Sequence, residues 1–233
     1  MKSAPFRQTA VLASLTVAVS ILAVAGVRLG VSSPLEAASV VTGAVCVWMA
    51  VRESVWNFPL TLINASLFSV VFFGAKLYAD SGLQVVYFVL GIVGWYLWLH
   101  GGEHKTPLRI SRVRPREGIA VAAAGVTLTM VLWVTLRHVG GSASFFDALT
   151  TSISLCAQWM LNRKHVENWY AWIVVDIISV PLYAYKELYL TAALYAVFLV
   201  MATMGLLHWR ATWRSQDGDP VAPAGGALHG VPA

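Results

Sequence analysis

Charge is what this sequence has least of. Only 12% of its 233 residues are Asp, Glu, Lys or Arg, against roughly a quarter in soluble domains, which excludes water as the main solvent. Cysteine is equally scarce. Cys46 and Cys156 both fall inside apolar runs, where a thiol acts as a small apolar group and gives no disulfide framework. There is no His-Glu-x-x-His zinc helix, no phosphate-cradling P-loop and no Gly-x-Ser-x-Gly nucleophile elbow, so no catalytic residue, cofactor or metal site is expected. His100 and His104 stand four apart with no third ligand, which reads as a solvated pair. The formal net charge is +5, but the basic residues are scattered over short loops rather than gathered on one stripe, which argues against nucleic acid as a partner.

What fills the chain is apolar: 58% of it is hydrophobic. Runs near 20 residues, the length that crosses hydrocarbon, recur from Thr9 almost to Trp209 and leave no room for a separate soluble domain. The expected fold is an all-α membrane protein of about eight transmembrane helices, near 9–29, 35–51, 55–74, 81–99, 118–137, 146–162, 168–185 and 189–210. With the amino terminus in the cytoplasm, twelve Lys and Arg fall on the cytoplasmic side and four on the other, so both termini are read as cytoplasmic. Lys2 and Arg7 before the first run resemble a secretory signal peptide. The run from Thr9 to Val27 exceeds the roughly 7 to 15 residues of a signal core, and is read as a retained anchor.

Sliding the sequence on itself by 111 positions brings identical residues together without a gap. Trp48-Met49 falls on Trp159-Met160, Arg52 on Arg163, Val55 on Val166, and Asn57 on Asn168. Further on, Leu77-Tyr78 falls on Leu188-Tyr189, Leu83 on Leu194, Gly94 on Gly205 and Trp98 on Trp209, with Glu36 and Asp147 as a similar pair. Each copy holds three helices, with one helix between the copies. The copies are therefore parallel, related by an axis along the membrane normal, and a site is expected between them near the midplane. This gives an anchor helix over 1–34, a first repeat over 35–100, a basic loop and linker helix over 101–145, a second repeat over 146–210 and a disordered tail over 211–233.

Polar and aromatic residues then mark the inward faces. In the seventh span Trp169, Trp172, Asp176 and Tyr183 recur at helical spacing. Asp176 lies about 12 Å into the helix, a depth at which a carboxylate costs about 2.5 to 3.5 kcal/mol unless it faces the bundle. The sixth span carries Asp147, Thr151, Ser154, Gln158 and Asn162 on one face. Thr151 and Ser154 read as helix glue, and Gln158, with donor and acceptor both, as a ligand contact. The fourth span presents Gln84, Tyr87, Trp95 and Trp98, and the third Trp56, Asn57, Thr61 and Asn64. Trp98 and Trp209, at span ends, are readable as interfacial belt rings. Rings, amides and one acid suit a flat, polar, cationic aromatic ligand.

Several segments also resemble one family: Ala75-Lys76-Leu77-Tyr78, Gln84-Val85-Val86-Tyr87, Gly94-Trp95-Tyr96-Leu97-Trp98, Asp147-Ala148-Leu149-Thr150-Thr151, Gln158-Trp159, and the run from Arg163 to Trp172. They resemble the PnuC vitamin transporters over about residues 36–210. The resemblance implies a core of three, one and three helices, often with an extra amino-terminal helix, in the bacterial cytoplasmic membrane. It implies uptake of nicotinamide riboside by facilitated diffusion, trapped through functional coupling to a cytoplasmic kinase, with thiamine and riboflavin as cargoes of similar relatives. The family's Trp-x-x-Trp signature falls on Trp169 and Trp172, with Asn168 beside it, so these inherit a binding role. Besides ligand and bilayer, a homo-oligomer is an open partner. The rivals are a membrane enzyme and a SWEET-type sugar carrier, whose proline-bearing helices are poorly matched by Pro59 and Pro181 alone.

Overall fold

In the computed structural model, residues 3–30, 33–74, 78–138, 144–185 and 189–218 are described. The pair Leu77 and Leu188, the motif residues Ala75 and Lys76, and positions 219–233 of the expected tail lie outside them. Eight α-helices follow in order: α1 (Ser3–Arg28), α2 (Pro34–Val51), α3 (Asn57–Gly74), α4 (Tyr78–His100), α5 (Pro115–His138), α6 (Ser144–Asn162), α7 (Asn168–Tyr185) and α8 (Tyr189–Gly218). Among the described residues the remaining regular structure is a 3-10 turn over Glu103–Lys105 and an isolated parallel bridge between Ser111 and His165. The helix count and class agree with the sequence reading.

Among the described residues, five stretches are long and apolar enough to cross a membrane: Ala10–Arg28, Pro34–Val51, Ser81–His100, Pro115–Thr135 and Ala192–Gln216. Asn57–Val71 in α3 is apolar but shorter. In α6 and α7 the polar and aromatic faces dilute the hydropathy. Helix starts are locally encoded: Ser33 Oγ accepts from the Glu36 amide at 3.1 Å while the Ser33 amide donates to Glu36 at 2.7 Å, with Pro34 opening the helix. At the far end α8 runs to Gly218, eight residues beyond the expected end at 210. Trp213 explains the extension, because it packs on the buried core and lies under the Arg112 guanidinium, 5.4 Å from the ring centroid.

The duplication is visible in three dimensions. Within each copy the first helix packs on the second and the second on the third; between copies α4 packs on α6 and α8 on α2. Helices α3 and α7 begin and end 111 positions apart, and α4 and α8 begin so. The symmetry also reaches further than three helices. As α1 packs on α2, α5 packs on α6, so α1 and the linker helix hold matching places and the unit has four helices. It is broken at the periphery: α1 also touches α8, whereas α5 makes no matching contact with α4 among the described residues.

The axis between the copies runs through Trp98 and Trp209, 1% and 0% exposed, with ring centroids 6.0 Å apart. Their reading as belt rings is corrected by this burial. Trp98 Nε1 donates to Leu161 O at 3.1 Å, and Trp209 Nε1 to Ala50 O at 3.2 Å. Donors and acceptors are both repeat mates, so this is one bond made twice, each indole closing on the other copy. Each ring also meets an aromatic edge of its own copy: Phe58 on Trp98 at 4.9 Å and Trp169 on Trp209 at 5.5 Å. Glycine makes the approach possible. A Cβ on Gly94 would collide with Asn162 Oδ1 and Phe58 Cε1, and one on Gly205 would lie 2.7 Å from the Trp169 ring.

Two loop residues complete this junction. Glu53 and Lys164, themselves repeat mates, take left-handed conformations (φ 56° and 52°) in the turns that follow α2 and α6. They pair with one another at 3.2 Å, and Lys164 Nζ lies 4.5 Å from the Trp98 ring centroid. The segment after α4 straps across: Ser111 N donates to Lys164 O and Val166 N to Ser111 O, both at 3.0 Å. The Lys164 side chain is 10% exposed, whereas Arg112, paired with Glu167, is 58% exposed. Breaking the first pair strands a charge out of water, at a cost on the order of 2 kcal/mol; breaking the second costs about 0 to 1 kcal/mol. Thermal unfolding in detergent is therefore predicted to show a larger loss for Glu53→Gln than for Arg112→Gln; equal losses contradict this account.

Candidate functional site

The residues singled out in the sequence fall into three groups. The first lies at the axis junction. Asn57 and Asn168 open α3 and α7, 3% and 0% exposed. Asn168 Nδ2 donates to His165 O at 2.6 Å, and Thr61 Oγ1 donates to Asn57 Oδ1 at 3.4 Å. Trp169 is 2% exposed, edge-on to Trp209. Asn168 Oδ1 and Trp169 Nε1 are sealed without a partner among the described residues. His165 belongs here too, with Nδ1 3.0 Å from Ser111 Oγ and Nε2 3.4 Å from Glu117. Burial lowers its pKa below the ordinary 6.5, against the pull of Glu117.

The second group is more exposed. Trp56 is 72% exposed at the α2–α3 turn, and Trp95 is 36% exposed on α4, on the face it shares with Gly91 and Trp98. Spacing put both on inward stripes; Trp56 instead stands out from the turn.

The third group lies midway along the helices, where α4, α6, α7 and α8 supply polar side chains. Asp176, halfway along α7, is 4% exposed and takes part in none of the four ion pairs among the described residues. Gln158 on α6 is 8% exposed and donates from Nε2 to Asn162 Oδ1 at 3.0 Å. One turn before it, Ser154 lies beside Tyr87 of α4. Tyr183 of α7 stacks on Tyr195 of α8, ring centroids 5.1 Å apart and planes 21° from parallel. Tyr195 also lies near Asp176 and Tyr87. Trp172, half-buried, packs against the core one turn before Asp176, and Gln84 is half-buried on α4.

Tyr195 went unremarked in the sequence. The repeat held the clue, since its mate is Gln84. Asn64, by contrast, has a structural occupation: its Nδ2 donates to Ser39 O at 2.6 Å and to Thr42 Oγ1 at 2.9 Å, tying α3 to α2. An open apolar groove of about 620 Å³ between α5 and α6 holds none of the sequence-marked site residues. Because α4 ends at His100, His104 stands off its helix in the 3-10 turn. Among the described residues no three His, Cys, Asp or Glu gather as metal ligands do.

This geometry can be set beside known proteins. The nicotinamide riboside transporter PnuC of Escherichia coli (strain K12) is 27% identical over 201 residues, covering 75% of this chain and 84% of its own length. The riboflavin/roseoflavin transporter RibM of Streptomyces davaonensis is 25% identical over 197 residues, covering 83% and 89%. The crystal structure of the vitamin B3 transporter PnuC superposes with a TM-score of 0.69 at 27% identity, over 89% of this chain and 92% of that one. These neighbours are transporters, not enzymes. The family model described as "Nicotinamide mononucleotide transporter" matches residues 33–211, and the chain belongs to that family of membrane transporters.

Proposed function

We propose that this protein carries nicotinamide riboside across the bacterial cytoplasmic membrane by facilitated diffusion, with the ligand bound between the two copies beside Asp176. The observation that carries the reading is Asp176 itself, a carboxylate halfway along a membrane helix with no basic partner among the described residues. A buried acid is stabilised by taking up a proton or by a counter-charge, and a pyridinium ring supplies the second. At about 4 Å and an effective dielectric near 20 that attraction is worth about 4 kcal/mol before desolvation. Faces of Trp172, Tyr183 and Tyr195 add cation–π attraction of ~0.5 to 2 kcal/mol each. Gln158 and Tyr87 supply directional polar contacts. The proposed site omits the exposed Trp56 and the partly exposed Trp95, while Asn57, Asn168 and Trp169 support it from the junction.

The sequence also separates riboside from mononucleotide. Within α2, α3, α4, α6 and α7, and in α8 before Arg210 near its cytoplasmic end, there is no Lys or Arg, so a phosphate has nothing to pair with midway along the bundle. Trapping follows from the same absence of cations along the path. A carrier without ion coupling only equilibrates its cargo, and phosphorylation by a cytoplasmic kinase turns that cargo into an anion this path does not return. Basic-residue parity supports cytoplasmic termini. Transport then consists of one copy rocking on the other about the Trp98–Trp209 contact, exposing the site to each side in turn.

A second reading, riboflavin, is favoured by one observation: the stacked pair of Tyr183 and Tyr195, a surface suited to a neutral flavin. Calorimetry on purified protein distinguishes the two. Nicotinamide riboside is expected to bind more tightly than thiamine or riboflavin, and Asp176→Asn to weaken it at least tenfold while weakening its neutral reduced form less. Equal losses for both forms remove the charge argument, and a preference for riboflavin replaces the substrate.

Proteoliposomes test the energetics. Uptake is expected to stop at the equilibrium level with or without a pH gradient; accumulation above that level under an inward proton gradient overturns facilitated diffusion and makes Asp176 a proton carrier.

A further inference from the structure

Gln158 offers a ligand either a carbonyl oxygen or an amide N–H, depending on which way its amide is turned. The structure determines the choice through a two-link chain that begins on a backbone carbonyl of the other copy. Leu90 O, on α4, can only accept. Asn162 must therefore turn its Nδ2 toward it, and does so at 2.8 Å. That leaves Asn162 Oδ1, an acceptor, facing Gln158, which meets it with Nε2 at 3.0 Å. Turning either amide over would set two oxygens or two N–H groups against one another in a buried place, with Asn162 2% and Gln158 8% exposed.

The remaining group, Gln158 Oε1, carries no hydrogen bond among the described residues and is not among their sealed, unpaired polar atoms. The chain is one-sided: the mates of Gln158 and Asn162 are Val47 and Val51. Its room comes from Gly94, whose missing side chain leaves the space that Asn162 Oδ1 fills.

We propose that Asn162 is a positioning residue that fixes the sense of the Gln158 amide, so that the site presents an acceptor and selects a ligand with an N–H donor there, a carboxamide over its methyl ketone isostere. This rests on the reading of Gln158 as a ligand contact. A site with a fixed acceptor discriminates strongly against an analogue that brings a second acceptor, because both oxygens are then left unpaired.

The test is calorimetry on the full-length protein with nicotinamide riboside and 3-acetylpyridine riboside, which share charge and shape and differ in the amide N–H. Wild type is expected to prefer the carboxamide by about tenfold or more. Asn162→Val, the residue the first copy carries at the matching place, frees Gln158 to turn over and is expected to bring the preference within about threefold. Asn162→Asp, when protonated, donates to Leu90 O and accepts from Gln158, and is expected to keep it. No preference in wild type overturns the proposal without any variant. A preference unchanged in a folded Asn162→Val, or equal loss for both ligands, overturns it as well. Binding of neither riboside refutes the substrate reading alone, and riboflavin against N3-methylriboflavin then carries the same donor test with the same outcomes.

Discussion

Two indole N–H groups in the middle of an apolar bundle must find acceptors, and the structure is arranged around how they do so. Trp98 and Trp209 each donate to a carbonyl at the end of a helix in the opposite copy. An unmet donor there would cost about 1 to 3 kcal/mol, which makes the two halves mutually dependent. The rest of the junction follows. Gly94 and Gly205 let the rings approach, Phe58 and Trp169 brace them edge-on, and the tight turns of Glu53 and Lys164 bring opposite charges together on the axis. A contact shared by two equivalent halves also suits a pivot, because rotation about it perturbs both bonds alike.

Against this symmetric frame the polar equipment is unequal. Asp176, Trp172, Gln158 and Asn162 have Ala65, Thr61, Val47 and Val51 as their mates. The second copy supplies the charge and the Gln158–Asn162 amide pair, and the first supplies Tyr87, Gln84 and the carbonyl of Leu90. Duplication provides the interface, and on the proposed function divergence within one copy provides recognition. A cargo with one charged and one hydrogen-bonding end has no use for a symmetric site.

Much of the frame was legible in one dimension. Identical Trp, Arg, Asn and Gly pairs at one offset revealed the repeat, and the helix ends repeat with it. The position of Trp98 and Trp209 was not legible, since a ring at a span end looks the same whether it faces headgroups or an axis. The distinguishing mark was the glycine one turn before each, at Gly94 and Gly205. The matching roles of α1 and α5 escaped because peripheral helices need only be apolar, so their likeness survives in packing and not in residue identity. Helical spacing marked Asp176, Gln158 and Tyr183, on which the proposed site rests. It also marked Trp56, which stands 72% exposed at a turn, because periodicity identifies a face without saying which neighbour covers it.

The most direct test of the account is a structure of the protein with nicotinamide riboside bound. The account predicts ligand density between the copies, with the pyridinium ring beside Asp176 and within reach of Gln158 and Tyr87. Density confined to the outer groove between α5 and α6, or a ring turned away from Asp176, would contradict it.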